Sequence, residues 1–418
     1  MNTTLTGQSV VSRQPSDNAT TQEWVDWFFT AFLPAWIERA RDPAGFGFYD
    51  LLDENAQPVQ QQRRTVLAQA RLLFTFSHLA LISNNPAFHD AARVARDALT
   101  VFRKAAGSYC CARAGNKQAS SDKDDELARS YDQSFVILGL STWGRLHPDD
   151  DIEAELEACW SSILNKLTDH ATGLLLEHDG LTDPTHPTAP YRAQNPHMHL
   201  YEAALQAYEM TRRPIWLERA ALMRSKGIEY FYDQNSGTIK EFIAADLSPL
   251  KGRDGQWREI GHQCEWAWLL YREAELGADA SNYSKEIEIA ATLLAFADAY
   301  GVATSGIMQG AVFDAVSSDT SWREEKFLLW PQTEAIKTFA IRKKQPKHSA
   351  SAQQLTLLMF QKYFAGHDAF INQLDVSGKP VWSEALSRLL YHIVLALSEG
   401  VRAELWAIPD WPVLRSSS

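Results

Sequence analysis

The spacing between helical stretches constrains this chain more than any other feature, because it alternates between long and short. Apolar residues recur at three- and four-residue intervals near 64–83, 87–104, 130–146, 152–169, 196–212, 215–232, 262–277, 282–299, 331–344, 350–366 and 388–404. One more stretch opens at a capping box, Thr20 with Glu23 three residues on. It carries Trp24, Phe28 and Phe32 at four-residue spacing and runs to about Arg41 despite Pro34. The connections 41–64, 104–130, 169–196, 232–262, 299–331 and 366–388 are long, and the remaining ones are short. Twelve helices forming six hairpins can close into a ring or stack as an open solenoid. Long loops on only one side of the pairs favour a closed toroid with a functional mouth. Strand-like pieces such as IKEFI (239–243) and AFINQLDV (369–376) fall only in the connections, so the expected class is all-α with short strands in the long loops.

No linker rich in Pro, Gly or Ser interrupts this pattern. Residues 21–418 therefore read as one domain, after a polar tail over 1–20 that reads as disordered or loosely ordered. At 418 residues and 45% hydrophobic content, the chain is long enough for a single large toroidal core. Its net charge of -12 would repel nucleic acid and anionic lipid, so neither is an expected partner. Cys110 and Cys111 are adjacent, and Cys159 and Cys264 stand apart; no CxxC pair or disulfide framework results. A reducing compartment, the cytoplasm, is the expectation. The opening residues lack the basic start and apolar run of an export signal, and no apolar stretch approaches the roughly 20 residues of a membrane span.

Unusual side chains gather in the six stretches that follow the long connections. Five begin within about a turn of a polar or aromatic group: Tyr131 and Asp132, Asn195 and His199, His262 and Glu265, Trp330 and Glu334, Arg388 and His392. The sixth carries Arg71 two turns in. If these stretches line the ring and run the same way, their N-terminal ends share one mouth and the residues converge there. Singly, each has a plainer role: a histidine at a helix start is often a cap, and Arg71 amid LLFTF could extend its charge outward. Recurrence in all six argues for a site.

Spacing sharpens the expectation. Asn195 and His199, at i and i+4, share a helix face, whereas His197 is turned roughly 200° away and reads as structural. His262 and Glu265, at i and i+3, are close enough for the carboxylate to orient the imidazole and raise its basicity. HxH on a helix splays its rings, and there is no HExxH or Cys/His cluster, so no metal is expected. A GxxxxGK[ST] loop and a GxGxxG after a strand are also absent, which argues against nucleotide cofactors. Histidines near neutral pKa move protons. Abstraction of a proton alpha to a carbonyl needs a base, polar donors on the carbonyl oxygen and a wall for the carbon skeleton. Arg71, Tyr131 and Asn195 are candidate donors, Arg388 a further substrate contact, and Trp330 the wall.

The segments GFGFYD (45–50), QARLLFTFS (69–77), YDQSF (131–135), NPHMHLYEA (195–203), GHQCEWAWLL (261–270), LWPQTE (329–334) and LLYH (389–392) resemble the N-acylglucosamine 2-epimerase superfamily over roughly residues 24–405. The resemblance implies an (α/α)6 barrel and a cofactor-independent enzyme that rearranges a free sugar at C1 and C2. It implies that His392 takes the C2 proton of the open-chain sugar. His262 would help open the ring and, in epimerases, return a proton to the opposite face. Arg71, Tyr131, Asn195, His199, Glu265 and Trp330 would bind hydroxyls or share in moving protons between O1 and O2.

Two departures bear on the substrate. Leu329 stands where cellobiose 2-epimerases carry the first Trp of a doublet, which removes a platform for a second sugar ring. Ile260 stands where the family tends to place Pro before Gly-His, which alters the loop beside His262. GHQCEWAWLL with LWPQTE looks most like the free mannose isomerase branch. The expected reaction is aldose–ketose isomerisation, mannose with fructose, by a monomer or homodimer. Epimerisation at C2 of a monosaccharide, N-acylglucosamine or cellobiose, and sulfoquinovose isomerisation, are alternatives. A glycoside hydrolase on the same toroid would need two carboxylates across the mouth, with Asp132 and Glu265 the candidates. A helical scaffold would show a repeating consensus, and none is visible.

Overall fold

A computed structural model describes residues 9–59, 63–277 and 280–409. In chain order its helices are α1 (Thr21–Trp27), α2 (Leu33–Ala40), α3 (Val66–Ser83), α4 (Pro86–Thr100), α5 (Ser130–Leu146), α6 (Ile152–Lys166) and α7 (Asn195–Thr211). There follow α8 (Pro214–Phe231), α9 (Gly252–Gln256), α10 (Ile260–Leu276), α11 (Ser284–Tyr300), α12 (Leu329–Ile341), α13 (Pro346–Met359) and α14 (Leu390–Arg402). Helices α3, α5, α7, α10, α12 and α14 pack side by side in that order, and α14 meets α3 to close the ring. Outside them α4 lies on α3, α6 on α5, α8 on α7, α11 on α10 and α13 on α12, with α1 against α13. This is an (α/α)6 barrel.

Residue pattern decides which ring a helix joins. The inner α3 is apolar nearly all round and buries almost every residue from Val66 to Ala80, as a helix enclosed on all sides must. The outer α4 buries only one stripe, Phe88, Ala91, Ala92, Ala95, Ala98 and Leu99, at three- and four-residue steps. Short turns between them are written locally: Asn84 takes a left-handed conformation, Asn85 caps Ala87 N–H, and Pro86 occupies the first turn. Contrary to the expectation that no apolar stretch approaches a membrane span, Val66–Ser83 passes as one by length and hydropathy, because an inner helix is apolar on every face, but in the fold it is enclosed by the barrel.

The capping box at Thr20 and Glu23 is formed. The helix it opens does not run evenly to Arg41. It widens into a π turn at Phe28–Phe32, next to Pro34, whose nitrogen has no hydrogen to complete a regular turn. The polar tail also differs from expectation. Residues 1–8 lie outside the described residues, but Val10–Arg13 form a 3-10 turn. Val11 N–H donates to Asp368 (3.1 Å), Gln14 Nε2 donates to the carbonyls of Phe364 and His367 (2.9 Å each), and Gly366 N–H returns a bond to Gln14.

The long loops are stitched together around the mouth. Residues 63–65 pair with 112–114, Arg129 with His178, 192–193 with 242–243, 257–259 with 315–317, 327–328 with 373–374, and 385–386 with 51–52. Each pairing joins one loop to the next, and the last returns to the first. This collar fixes the direction in which the chain enters each inner helix. Helix α9, absent from the sequence expectation, lies within it.

Candidate active site

Because every inner helix starts at the collar, the first turns of all six face one basin. Its volume is about 520 Å³, within the ~300–1,000 Å³ usual for small-molecule sites. Arg71, Tyr131, Asn195, His199, His262, Glu265, Trp330, Arg388 and His392 all line it, as does Asp132. His197 stays in the wall: its Nε2 accepts from Leu175 N–H at 2.9 Å and its Nδ1 donates to the Ala193 carbonyl at 3.1 Å. Arg71 does not extend outward; it is 2% exposed, lies over the Phe135 ring, and turns its guanidinium into the basin.

His392 and His262 occupy opposite electrostatic settings. Nε2 of His392 lies 3.3 Å from Arg71 Nη1, and arginine only donates, so Nε2 must present its lone pair. The ring proton is then on Nδ1, which donates to Glu334 Oε1 at 2.7 Å. Burial, then the charges of Arg71 and Lys337, push this imidazole well below its ordinary pKa. It is a neutral base aimed at the cavity.

His262 faces two carboxylates. Its Nδ1 lies 2.7 Å from Glu241 and 3.3 Å from Glu259. Burial opposes its charge, but these acids outweigh it and raise the pKa to about 10, so the ring is an imidazolium. Its Nε2 has no protein partner among the described residues. Trp330 lies beside both histidines, with ring centroids 4.9 Å from His262 and 6.2 Å from His392. Gly261 makes room for that indole: a Cβ there would fall 2.2 Å from its ring.

The expected pair of His262 with Glu265 does not form. One turn apart on α10, Glu265 points instead toward His199 and Lys337, at 3.8 Å from each. The partner of His262 is Glu241, from the strand-like IKEFI piece of the collar. Glu241 also accepts from Gln194 Nε2 (3.1 Å) and Glu259 N–H (3.0 Å), which hold it in place. Sequence reading missed it because no helical spacing links it to His262; its one signal was an acid between Ile239 and Ile243. Ile260, the departure from the usual Pro, donates its N–H to the Asp314 carbonyl at 3.1 Å, a bond proline could not make.

The remaining lining is rich in unmet hydrogen-bonding groups. Tyr131 OH accepts from Arg71 Nη2 at 2.7 Å. Asn195 Oδ1 and both oxygens of Glu265 are buried with no hydrogen-bond donor, and the Arg388 guanidinium, within the field of Asp50 and Asp132, makes no hydrogen bond among the described residues. Such groups cost about 1–3 kcal/mol each if left unsatisfied, so the basin suits a ligand that offers both donors and acceptors. His199 is oriented from behind by Glu202 at 3.0 Å. Burial raises the Asp132 carboxyl to about 7.

Three clusters have metal-ligand composition: His199 with Glu202 and Glu265, Glu241 with Glu259 and His262, and Glu265 with Glu334 and His392. In each, a cationic side chain of the protein already stands among the acids. Lys337 Nζ serves the first and third, 2.5 Å from Glu334 and 3.8 Å from Glu265. The His262 imidazolium, with Gln194 and the Glu259 N–H, serves the second.

Comparison with known proteins gives the family and agrees with the fold. Residues 47–396 match the family described as N-acylglucosamine 2-epimerase (GlcNAc 2-epimerase). A Rhizobium meliloti protein named mannose-6-phosphate isomerase is 27% identical over 90% of this chain and 95% of its own. The D-mannose isomerase of Marinomonas mediterranea is 25% identical over 57% of this chain and 63% of its own. Among solved structures, the cellobiose 2-epimerase of Spirochaeta thermophila superposes with a TM-score of 0.74 at 20% identity, covering 89% of this chain and 93% of that one.

Proposed function

The chain belongs to the N-acylglucosamine 2-epimerase family of sugar isomerases and epimerases, and from that premise we propose that it interconverts a free aldose and its ketose, mannose and fructose. The observation that carries this reading is two imidazoles in opposed electrostatic surroundings, one against a guanidinium and one against two carboxylates, beside one indole in a sugar-sized basin. Paired groups whose surroundings drive their pKa values apart are matched to acid and base work.

In this reading His262 donates from Nε2 to the ring oxygen and opens the sugar, while Glu241 stabilises the charge it starts with. His392 Nε2 then takes the proton from C2 of the open-chain aldose. The electron pair left at C2 forms the C1–C2 double bond of an enediol, and the carbonyl π pair moves onto O1, which receives a proton. Arg71, Tyr131 and Asn195 contact the oxygens on which charge develops. His392 returns its proton to C1 as the O2 hydroxyl loses its own and becomes the ketone; in this reading Glu265 and His199 pass that proton between O2 and O1. Trp330 supports the carbon skeleton, and Arg388 reaches the distal hydroxyls. Every step uses groups of the chain itself.

One observation favours a second reading. His262 is a proton donor facing the same basin, and delivery of its proton to C2 on the face away from His392 would invert that carbon and give 2-epimerisation. Incubation with mannose in deuterated water, followed by NMR, separates the two. Fructose as first product supports isomerisation, and glucose as first product supports epimerisation. Absence of exchange at C1 or C2 in every sugar tried would defeat both.

A further inference from the structure

Below the floor of the basin, α12 places a lysine where a barrel interior rarely holds one. Lys337 is fully buried, and lysines are almost never so unless paired. Its Nζ lies 2.5 Å from Glu334 Oε2 and 3.8 Å from Glu265 Oε1, 4.3 Å over the Trp268 ring and 5.9 Å over Tyr391. Glu202, on α7, belongs to the same cluster through its bond from Tyr391 and its contact with His199. Three carboxylates from three helices thus surround one ammonium. The Glu334 carboxylate is shared, one oxygen on Lys337 and the other on His392 Nδ1.

We propose that Lys337 is a positioning residue: as counter-ion to Glu334 it acts with Arg71 to hold His392 in the tautomer whose Nε2 carries the lone pair for the sugar proton. This rests on the reading of His392 as the base. Burial and the charge of Glu265, with Glu202 behind it, already push the Glu334 carboxyl well above its ordinary value, and the Lys337 ammonium is what opposes them; without it nothing on the inner side would hold that carboxylate ionised against its like-charged neighbours. A Glu334 that takes its proton on Oε1, the oxygen facing His392, would donate to Nδ1 instead of accepting from it. The ring hydrogen would then sit on Nε2, opposite the Arg71 N–H, and the base would be lost.

The groups that face this cluster are Glu334 on α12, His262, Cys264 and Glu265 on α10, His199 and Glu202 on α7, Tyr391 and His392 on α14, and Arg71 on α3. Helix α13 packs on the far side of α12 and turns His348 to Asp298 instead.

The test compares the full-length enzyme with Lys337→Met, which fills the space without charge, and Lys337→Arg, which keeps the charge. In the Met variant Glu334 binds its proton more tightly, so the acidic limb of kcat/KM moves to higher pH. Activity near neutrality falls about tenfold or more and returns as pH rises, with KM little changed. The Arg variant keeps the wild-type acidic limb. Imidazole 15N spectra of histidine-labelled protein need no sugar: wild type shows His392 bare at Nε2, and Lys337→Met moves the hydrogen there. A uniform loss at every pH with the tautomer unchanged would reduce Lys337 to packing and overturn the proposal. Should neither variant fold, wild type decides it: the carboxyl 13C signal that disappears in Glu334→Gln must be that of an ionised group at neutral pH, and a protonated one overturns the proposal. A tautomer that follows Lys337 in a protein that rearranges no sugar would sink the functional reading alone. An active enzyme whose His392 ignores Lys337 would do the reverse.

Discussion

Glu241→Gln removes one charge and keeps the side chain's shape, so its effect on His262 can be worked from the surroundings. Burial alone would lower that imidazole, yet Glu241 at 2.7 Å and Glu259 at 3.3 Å bring it from an ordinary 6.5 to about 10. At 1.36 kcal/mol per unit, this is ~5 kcal/mol in favour of the imidazolium. Glu241 is the nearer acid and the larger raising influence, so loss of its charge removes roughly 2–3 units and leaves the pKa at roughly 7–8. The working form is the protonated one, so activity exists below the pKa and is lost as pH rises through it. The basic limb of kcat/KM therefore moves down by ~2 units or more: near pH 6 the variant stays within about threefold of wild type, and at about pH 9 it falls tenfold or more. The amide also turns a donor toward the Glu259 N–H that Glu241 now accepts, which costs about 1–3 kcal/mol of stability and lowers Tm. Initial rates across a pH series make the measurement. An unmoved basic limb, or an equal loss at all pH values, would refute the assignment of His262 as an acid held by Glu241.

Other outcomes follow from the same geometry. His392→Ala lowers kcat by about 10²–10⁴-fold, and His262→Ala also abolishes useful turnover; far-UV circular dichroism of both stays that of wild type, and near-normal activity in either defeats its role. Arg71→Lys cannot reach Tyr131 OH and His392 Nε2 together, so kcat falls roughly tenfold or more in steady-state assays. Gly261→Ala drives a methyl group into Trp330, and the expected result is a raised KM with the histidine pKa values unmoved in the pH profile. Trp24→Ala removes a 1%-exposed indole stacked on Phe360 at 5.6 Å, where the outer ring closes, and costs about 3–5 kcal/mol by denaturant unfolding.

How far such a site can be read before the fold is seen depends on what carries the information. The barrel was legible because helical period and loop length are local properties: all twelve expected stretches have helical counterparts, with ends displaced by a few residues. The nine lining residues were legible for a related reason. Each sits within about two turns of the start of an inner helix, and the collar brings those starts together, so position in the helix stands in for position in space. Partners set by tertiary packing were not legible. Glu265 is one turn from His262 on the same helix, yet the collar delivers Glu241 at 2.7 Å and turns Glu265 to His199 and Lys337. The role of Lys337 depends on acids from three helices, and only its i, i+3 relation to Glu334 is visible in the chain. The order in the tail after Ser9 depends on Phe364, His367 and Asp368, more than 300 residues away, and no local signal announces it.

The central claim is that a hydrogen leaves C2 of the sugar as a proton and reaches C1 by way of His392 Nε2. Mannose carrying deuterium at C2, turned over in ordinary water, tests this most directly through the fate of the label. Transfer through an imidazole predicts that the deuterium divides between C1 of fructose and the solvent, and that His392→Ala forms no labelled fructose. Fructose that keeps all of the label at C1, as a direct hydride shift would leave it, or sugar recovered with C2 untouched, would contradict the claim.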